Sequence, residues 1–232
     1  HIDRALLENP ATDWIKFNSG QTGFYRVQYA AGESDKFIRA IERQELQSAD
    51  RLGLQSDAYA LVRAGALPVS QFLKLAGAYK NEEEYGVWAD LVINLRQIDY
   101  LISHEPCHDQ FRAFGRDLLQ TIVRKMGWDA KPNEGHLQAL LRSMVLSQIG
   151  AFGDDETLRE ARVRFELSLK KPLSLLPELR GVGYSLAAQE GDQIIHDSLR
   201  GMANQATLQE EKVRLHLAMT RFKDPSLLRQ TL

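Results

Sequence analysis

The apolar positions of this 232-residue chain change their period once, near Ser34. Ahead of that point, residues 1–12 form a polar lead-in. Residues 13–29 then alternate apolar with polar in two short runs, Trp14-Ile15-Lys16-Phe17 and Phe24-Tyr25-Arg26-Val27-Gln28-Tyr29. A period of two predicts strands, and Ser19-Gly20-Gln21-Thr22-Gly23 between them is turn chemistry. A lone hairpin is marginal in water, so this pair is expected to be the remnant of a larger sheet. From Ser34 onward the period is 3.6. Phe37, Ile38, Ile41 and Leu46 open the helical part, and a second helix runs through Leu52, Leu54, Ala58, Leu61 and Val62 to Gly65. Pro68 starts a third, with Phe72, Leu73, Leu75 and Ala76 on its apolar side. A long helix over Glu82 to Leu101 carries Trp88, Leu91, Val92, Leu95, Ile98 and Leu101. Further starts fall near Pro106, Asn133, Asp154, Pro177, Asp192, Ala206 and Asp224-Pro225, each at a residue type that stops or caps helices. The expected fold is mostly α, an irregular α–α superhelix of HEAT- or armadillo-like helix pairs, residues 32–232, behind a β remnant, residues 1–31. No strict repeat is present, although the segments starting at Asp154, Asp192 and Asp224 read as loosely equivalent helix starts.

Composition narrows the function classes. A hydrophobic fraction of 44% and a charged fraction of 26% are those of a globular domain. The net charge of −2 provides no basic footprint for nucleic acid, and no apolar run approaches the roughly 20 residues of a membrane helix. Cys107 is the single cysteine, and no Asn-x-[Ser/Thr] acceptor occurs: Asn18 precedes Ser-Gly, Asn94 precedes Leu-Arg and Asn204 precedes Gln-Ala. The single cysteine points to a reducing compartment, and the missing acceptor favours a cytoplasmic or bacterial parent, with cytoplasmic taken as the expectation. No signal peptide is recognisable, and the chain opens on His1 rather than Met.

The segment Trp14–Tyr29 carries the strongest identification. Asn18, Gly23, Phe24, Tyr25, Arg26, Val27 and Tyr29 match an Asn-x-x-x-x-Gly-[Phe/Tyr]-Tyr-Arg-Val-x-Tyr pattern. That pattern resembles the join between the β-sandwich and the C-terminal helical domain of the zinc aminopeptidases of the puromycin-sensitive aminopeptidase and aminopeptidase N family. The block Arg51 to Gly65, with Leu54, Asp57, Ala58 and Tyr59, resembles the first helix of that domain, and the blocks Leu176–Tyr184 and Glu210–Pro225 follow in the family's order. The resemblance implies that the catalytic and β-sandwich domains lie upstream in a longer chain and that peptides are the substrates. It also implies zinc in the parent enzyme and none held by these residues. The implied role is to cover the active-site cavity and restrict access. The family's domain continues for several more helices beyond the point matched by Leu232. The alternative reading is a stand-alone helical-repeat scaffold that binds a peptide or protein on its concave face.

Candidate chemistry is sparse. His104-Glu105-Pro106-Cys107-His108 fits the H-E-x-x-H pattern of zinc peptidases. A zinc site needs both His one turn apart on one helical face, with the Glu beside them as general base. Pro106 disfavours helix at Glu105 and suits the first turn of the helix that follows. The family's third ligand, a Glu 18 residues beyond the second His, would fall at Gly127. The motif is therefore read as a capping and surface segment. Gly201-Met202-Ala203-Asn204 resembles the family's Gly-x-Met-Glu-Asn, but Ala203 stands where the amine-binding carboxylate belongs, which leaves a helix end. Glu82-Glu83-Glu84 and Glu210-Glu211 read as solvated acidic runs at helix starts. Arg159, Arg162, Arg164, Lys170 and Lys171 read as an exposed helix face. No catalytic residue is assigned. Arg221 is the one site residue carried over by the resemblance: an Arg at the matching position meets the C-terminus of longer peptides, a task suited to a bidentate guanidinium. Asp99-Tyr100 stands where the neighbouring basic residue of that subsite is expected.

Overall fold

Helix starts and stops follow the local chemistry closely. In the computed structural model, which describes residues 14–231, these comprise eleven α-helices. They are α1 (Ala31–Glu42), α2 (Ser48–Arg63), α3 (Val69–Ala76), α4 (Tyr85–Leu101), α5 (His108–Met126), α6 (His136–Ala151), α7 (Asp155–Lys170), α8 (Arg180–Gln189), α9 (Gln193–Gln205), α10 (Gln209–Met219) and α11 (Pro225–Thr231). The three aspartates read as equivalent helix starts all cap. Asp154 Oδ1 accepts from the Thr157 amide at 2.9 Å, Asp192 Oδ1 from Ile195 at 3.1 Å and Asp224 Oδ1 from Ser226 at 2.7 Å. Helices α2, α5 and α6 each stop one or two residues before a glycine in the left-handed region, at φ +70° (Gly65), +61° (Gly127) and +81° (Gly153), where a Cβ would strain the backbone.

The chain divides into two compact units, His1–His108 and Asp109–Leu232. In the first, α2 packs against α3 and α4, and α1 against the 3-10 turn Gly77–Asn81. Phe37, Ile41, Phe72, Tyr79, Trp88, Leu91 and Leu95 form its core. In the second, α7 lies on α8 and α9 on α10, while α8 also contacts α6 and α10. Its core holds Leu146, Phe165, Leu179, Leu186, Leu199, Leu215 and Phe222. Burying each such side chain contributes about 1.5–3 kcal/mol.

Three expectations are corrected. Residues 14–30 hold no strand; the only regular element in the segment is a 3-10 turn at Ser19–Gln21. The Gly20 and Val27 amides donate to Asp50 and Asp57 of α2, and those of Phe17 and Gly23 to Tyr29 and Asn18 within the segment, in place of a ladder. Leu101, placed on the apolar side of α4 by period, is 73% exposed because the helix ends there. Pro106 lies in the turn before α5 rather than in its first turn. The lead-in at residues 1–12 lies outside the described residues.

Candidate functional site

The Trp14–Tyr29 segment is a latch onto α2, and its motif residues do the latching. Asn18 is buried with φ +53°. Its side chain closes the loop on itself: Oδ1 accepts from the Gly23 amide at 2.6 Å, and Nδ2 donates to the Gly23 carbonyl at 2.9 Å. An amide that offers both a donor and an acceptor to one residue is what Asn supplies and Asp does not. Asp50 of α2 accepts from the Gly20 amide at 2.7 Å and pairs with Lys16 Nζ at 3.1 Å. The buried Lys16 ammonium also donates to the carbonyls of Phe17 and Asn18. One turn-pair along α2, Asp57 accepts from Arg26 NH1 at 3.0 Å and from the Val27 amide at 3.2 Å. Between them Gly53 admits the Gln21 side chain: a Cβ there would fall 1.7 Å from Gln21 Nε2. Tyr29 closes the far end. Its hydroxyl accepts from the Phe17 amide at 3.0 Å, and its ring stands edge-on to Phe37 at 4.6 Å. Burial, reinforced by the Asp57 and Asp50 carboxylates, pushes the Tyr29 phenol up to about 12, so it stays protonated.

The same α2 block secures the interior of its unit. Arg51 holds Glu82 through two nitrogens at 2.6 and 2.8 Å and donates to the Leu46 carbonyl at 2.6 Å. Glu82 also accepts from the amides of Glu83 and Glu84. Desolvation would raise its carboxyl, but the Arg51 hydrogen bond and those two amides outweigh it and hold the group below its ordinary value. Gln55 donates to the Val87 carbonyl and Tyr59 to Gln97. The acidic run at 82–84 is therefore not wholly a solvated face: Glu82 is 2% exposed, whereas Glu83 and Glu84 face outward. The missed signal was in α2, where Asp50, Arg51, Gln55 and Asp57 are polar yet buried. Polar groups buried in pairs are mutually satisfied, and a hydropathy pattern does not register that.

The zinc-like motif does not form a ligand set. His104 lies in the turn after α4, and His108 begins α5 with Nε2 2.8 Å from Asp99 Oδ1. The two imidazoles thus share no helical turn, and among the described residues no three His, Cys, Asp or Glu side chains converge. As placed, His104, Glu105 and His108 do not fit the ligand geometry of the metal. Ala203 is buried in the last turn of α9. Two members of the basic cluster are paired: Arg162 with Glu166 and Asp192, and Arg164 with Glu160 and Asp129 while lying over Trp128. In that unit a concavity of about 650 Å³, lined by Arg124, Trp128, Asp154, Arg159 and Glu160 among others, mixes both charges over an apolar floor.

Arg221 is exposed in the turn between α10 and α11. Its amide donates to the Ala218 carbonyl at 2.9 Å, and its guanidinium has no hydrogen bond or ion pair to the described residues. It continues the spacing of Val213 and Leu217, both exposed apolar residues of α10. Asp99 and Tyr100 belong to the other unit, where Asp99 holds His108 and Tyr100 is exposed. No helix among the described residues is long and apolar enough to cross a membrane.

Residues 14–232 match the family described as the ERAP1-like C-terminal domain. Aminopeptidase M1-A of Oryza sativa subsp. japonica is 35% identical over 227 residues, 94% of this chain and 26% of that protein. Aminopeptidase M1 of Arabidopsis thaliana is 33% identical over 236 residues, 97% of this chain and 26% of that protein. Puromycin-sensitive aminopeptidase of Caenorhabditis elegans is 26% identical over 221 residues, covering 94% and 23%. The chain spans about a quarter of the length of the relatives it matches.

Proposed function

Because the chain belongs to the ERAP1-like C-terminal domain family, we propose that it is the non-catalytic helical domain of a zinc-dependent aminopeptidase. In this reading it covers the active-site cavity as an irregular superhelix and limits which peptides enter. The observation that carries the reading is the match across residues 14–232 to a family described as a C-terminal domain, with relatives named as aminopeptidases. Zinc would supply carbonyl polarisation and an activated water in a domain outside these residues. The partners are that catalytic domain, a preceding β-sandwich domain and the peptide substrate, in the cytoplasm. The β-sandwich would abut residues 1–31.

Arg221 is assigned the C-terminal carboxylate of longer peptides. Its exposure and its lack of an acidic partner among the described residues support this, since a guanidinium already paired would compete with the ligand. A charge-assisted bond contributes about 1.5–3 kcal/mol when partly shielded from water, and less in the open. In the full-length enzyme, Arg221→Ala should raise KM for long peptides several-fold, leave short anilide substrates unchanged, and lose its effect on C-terminally amidated peptides. Equal effects on both substrate classes would make Arg221 structural. Full-length protein without metal-dependent aminopeptidase turnover would overturn the larger reading.

A further inference from the structure

We propose that the concavity between α5 and α7 is a binding site for a free amino acid with a bulky apolar side chain. The proposal rests on the reading above in one respect, that free amino acids are what an aminopeptidase releases. The concavity is lined by residues of α5, α6 and α7 and lies wholly within the second unit. Its floor includes Leu146 and Ile149 of α6, both buried. Its volume of about 650 Å³ falls in the range of small-molecule sites.

The charges on its walls select the ligand. On α7, Arg162 takes Glu166 and Asp192, and Arg164 takes Glu160 and Asp129. Arg159 takes no carboxylate, although Asp155 and Glu156 stand four and three residues before it, the spacings at which helix side chains meet. The side chains of Arg159 and Glu156 thus line one cavity with no hydrogen bond or ion pair to the described residues, and Arg124 of α5 shares that condition.

Two free guanidinium groups suit a carboxylate, which each can hold through paired N–H donors. A lone anion is disfavoured because Asp154, Glu156 and Glu160 line the same space, and a lone cation is disfavoured by the arginines. Asp154 is committed to Thr157 and Glu160 to Arg164, so Glu156 is the carboxylate left for an ammonium. A molecule that carries both charges on one carbon can meet Arg159 and Glu156 together. Its side chain is then directed to the apolar floor. Trp128, with Arg164 lying over its ring at 5.5 Å, adds an aromatic wall that favours an aromatic guest.

The probe is L-phenylalanine, added to the full-length protein, with hydrogen exchange read over residues 120–128 and 156–163 by mass spectrometry. At about ten times its dissociation constant it should slow exchange there about tenfold, because it stabilises only the folded site. Arg159→Gln and Glu156→Gln should each weaken binding roughly tenfold. Arg162→Gln, the same change at a paired arginine outside the concavity, should leave binding unaltered. Arg159 and Glu156 are both exposed, so these variants keep the fold, which far-UV circular dichroism checks. N-acetyl-L-phenylalanine, without the ammonium, and phenethylamine, without the carboxylate, should both protect far less. Equal protection by N-acetyl-L-phenylalanine overturns the proposal in favour of a simple anion site. No protection by phenylalanine, or protection that both variants leave unchanged, overturns it outright. Aminopeptidase turnover on the same sample separates the two readings. Turnover without protection sinks the amino-acid site alone, whereas protection without turnover upholds the site and sinks the enzymatic reading.

Discussion

Replacing Glu82 by Gln isolates the buried pair that ties α2 to the start of α4. The side chains of Arg51 and Glu82 are only 8% and 1% exposed, so solvent does little to screen the charge left behind. The amide would keep the shape but put an NH2 group against the guanidinium, leaving an uncompensated buried cation. Removing one partner of such a pair costs about 3–5 kcal/mol. For a chain of this size that corresponds to a fall in Tm of roughly 6–20 °C. Urea unfolding followed by far-UV circular dichroism and tryptophan emission would measure it. Trp88 is well placed to report, since its Nε1 donates to the Glu82 carbonyl at 2.9 Å. The sign with pH is also set. Glu82 is held below its ordinary value of 4.5, so its contribution is present above that value and is lost as pH falls through the folded value. The gap between wild type and Glu82→Gln should therefore close below about pH 4.5. A loss under about 1 kcal/mol at pH 7, as an exposed ion pair gives, or a gap that persists unchanged in acid, where the carboxylate is protonated, would refute the reasoning.

Three further outcomes follow from other contacts. Asp57→Ala strands the Val27 amide and should cost about 1–3 kcal/mol, with faster hydrogen exchange at Val27 than at amides of α4. Asp154→Ala removes the α7 cap and should cost about 1 kcal/mol by denaturant midpoint, while Asp154→Asn retains most of it. Gly115→Ala would press a Cβ to within 2.5 Å of the buried Phe152 ring and should destabilise by about 1–3 kcal/mol in calorimetry, despite the better helix propensity of Ala.

What the sequence by itself determined is the helical series. The 3.6 period placed apolar faces for the helices up to Leu101, and the Asp, Asn, Pro and Gly breaks placed the approximate starts of those that follow, because both signals act within a turn or two of chain. The aspartates at 154, 192 and 224 cap as their local sequence implies. The resemblance carried by Asn18, Gly23, Phe24, Tyr25, Arg26, Val27 and Tyr29 also led to the family that the match across residues 14–232 establishes. Tertiary structure decided what those motif residues do. Alternation in Trp14–Tyr29 read as strands, but the backbone groups there find Asp50, Asp57 and Tyr29 across some 12 to 30 residues of chain, and no local pattern encodes such partners. Glu82 read as solvated until Arg51, 31 residues away, came to meet it. Burial of a polar side chain depends on a partner brought by the fold, so only the folded chain separates the latch from the exposed ring of Phe24 beside it.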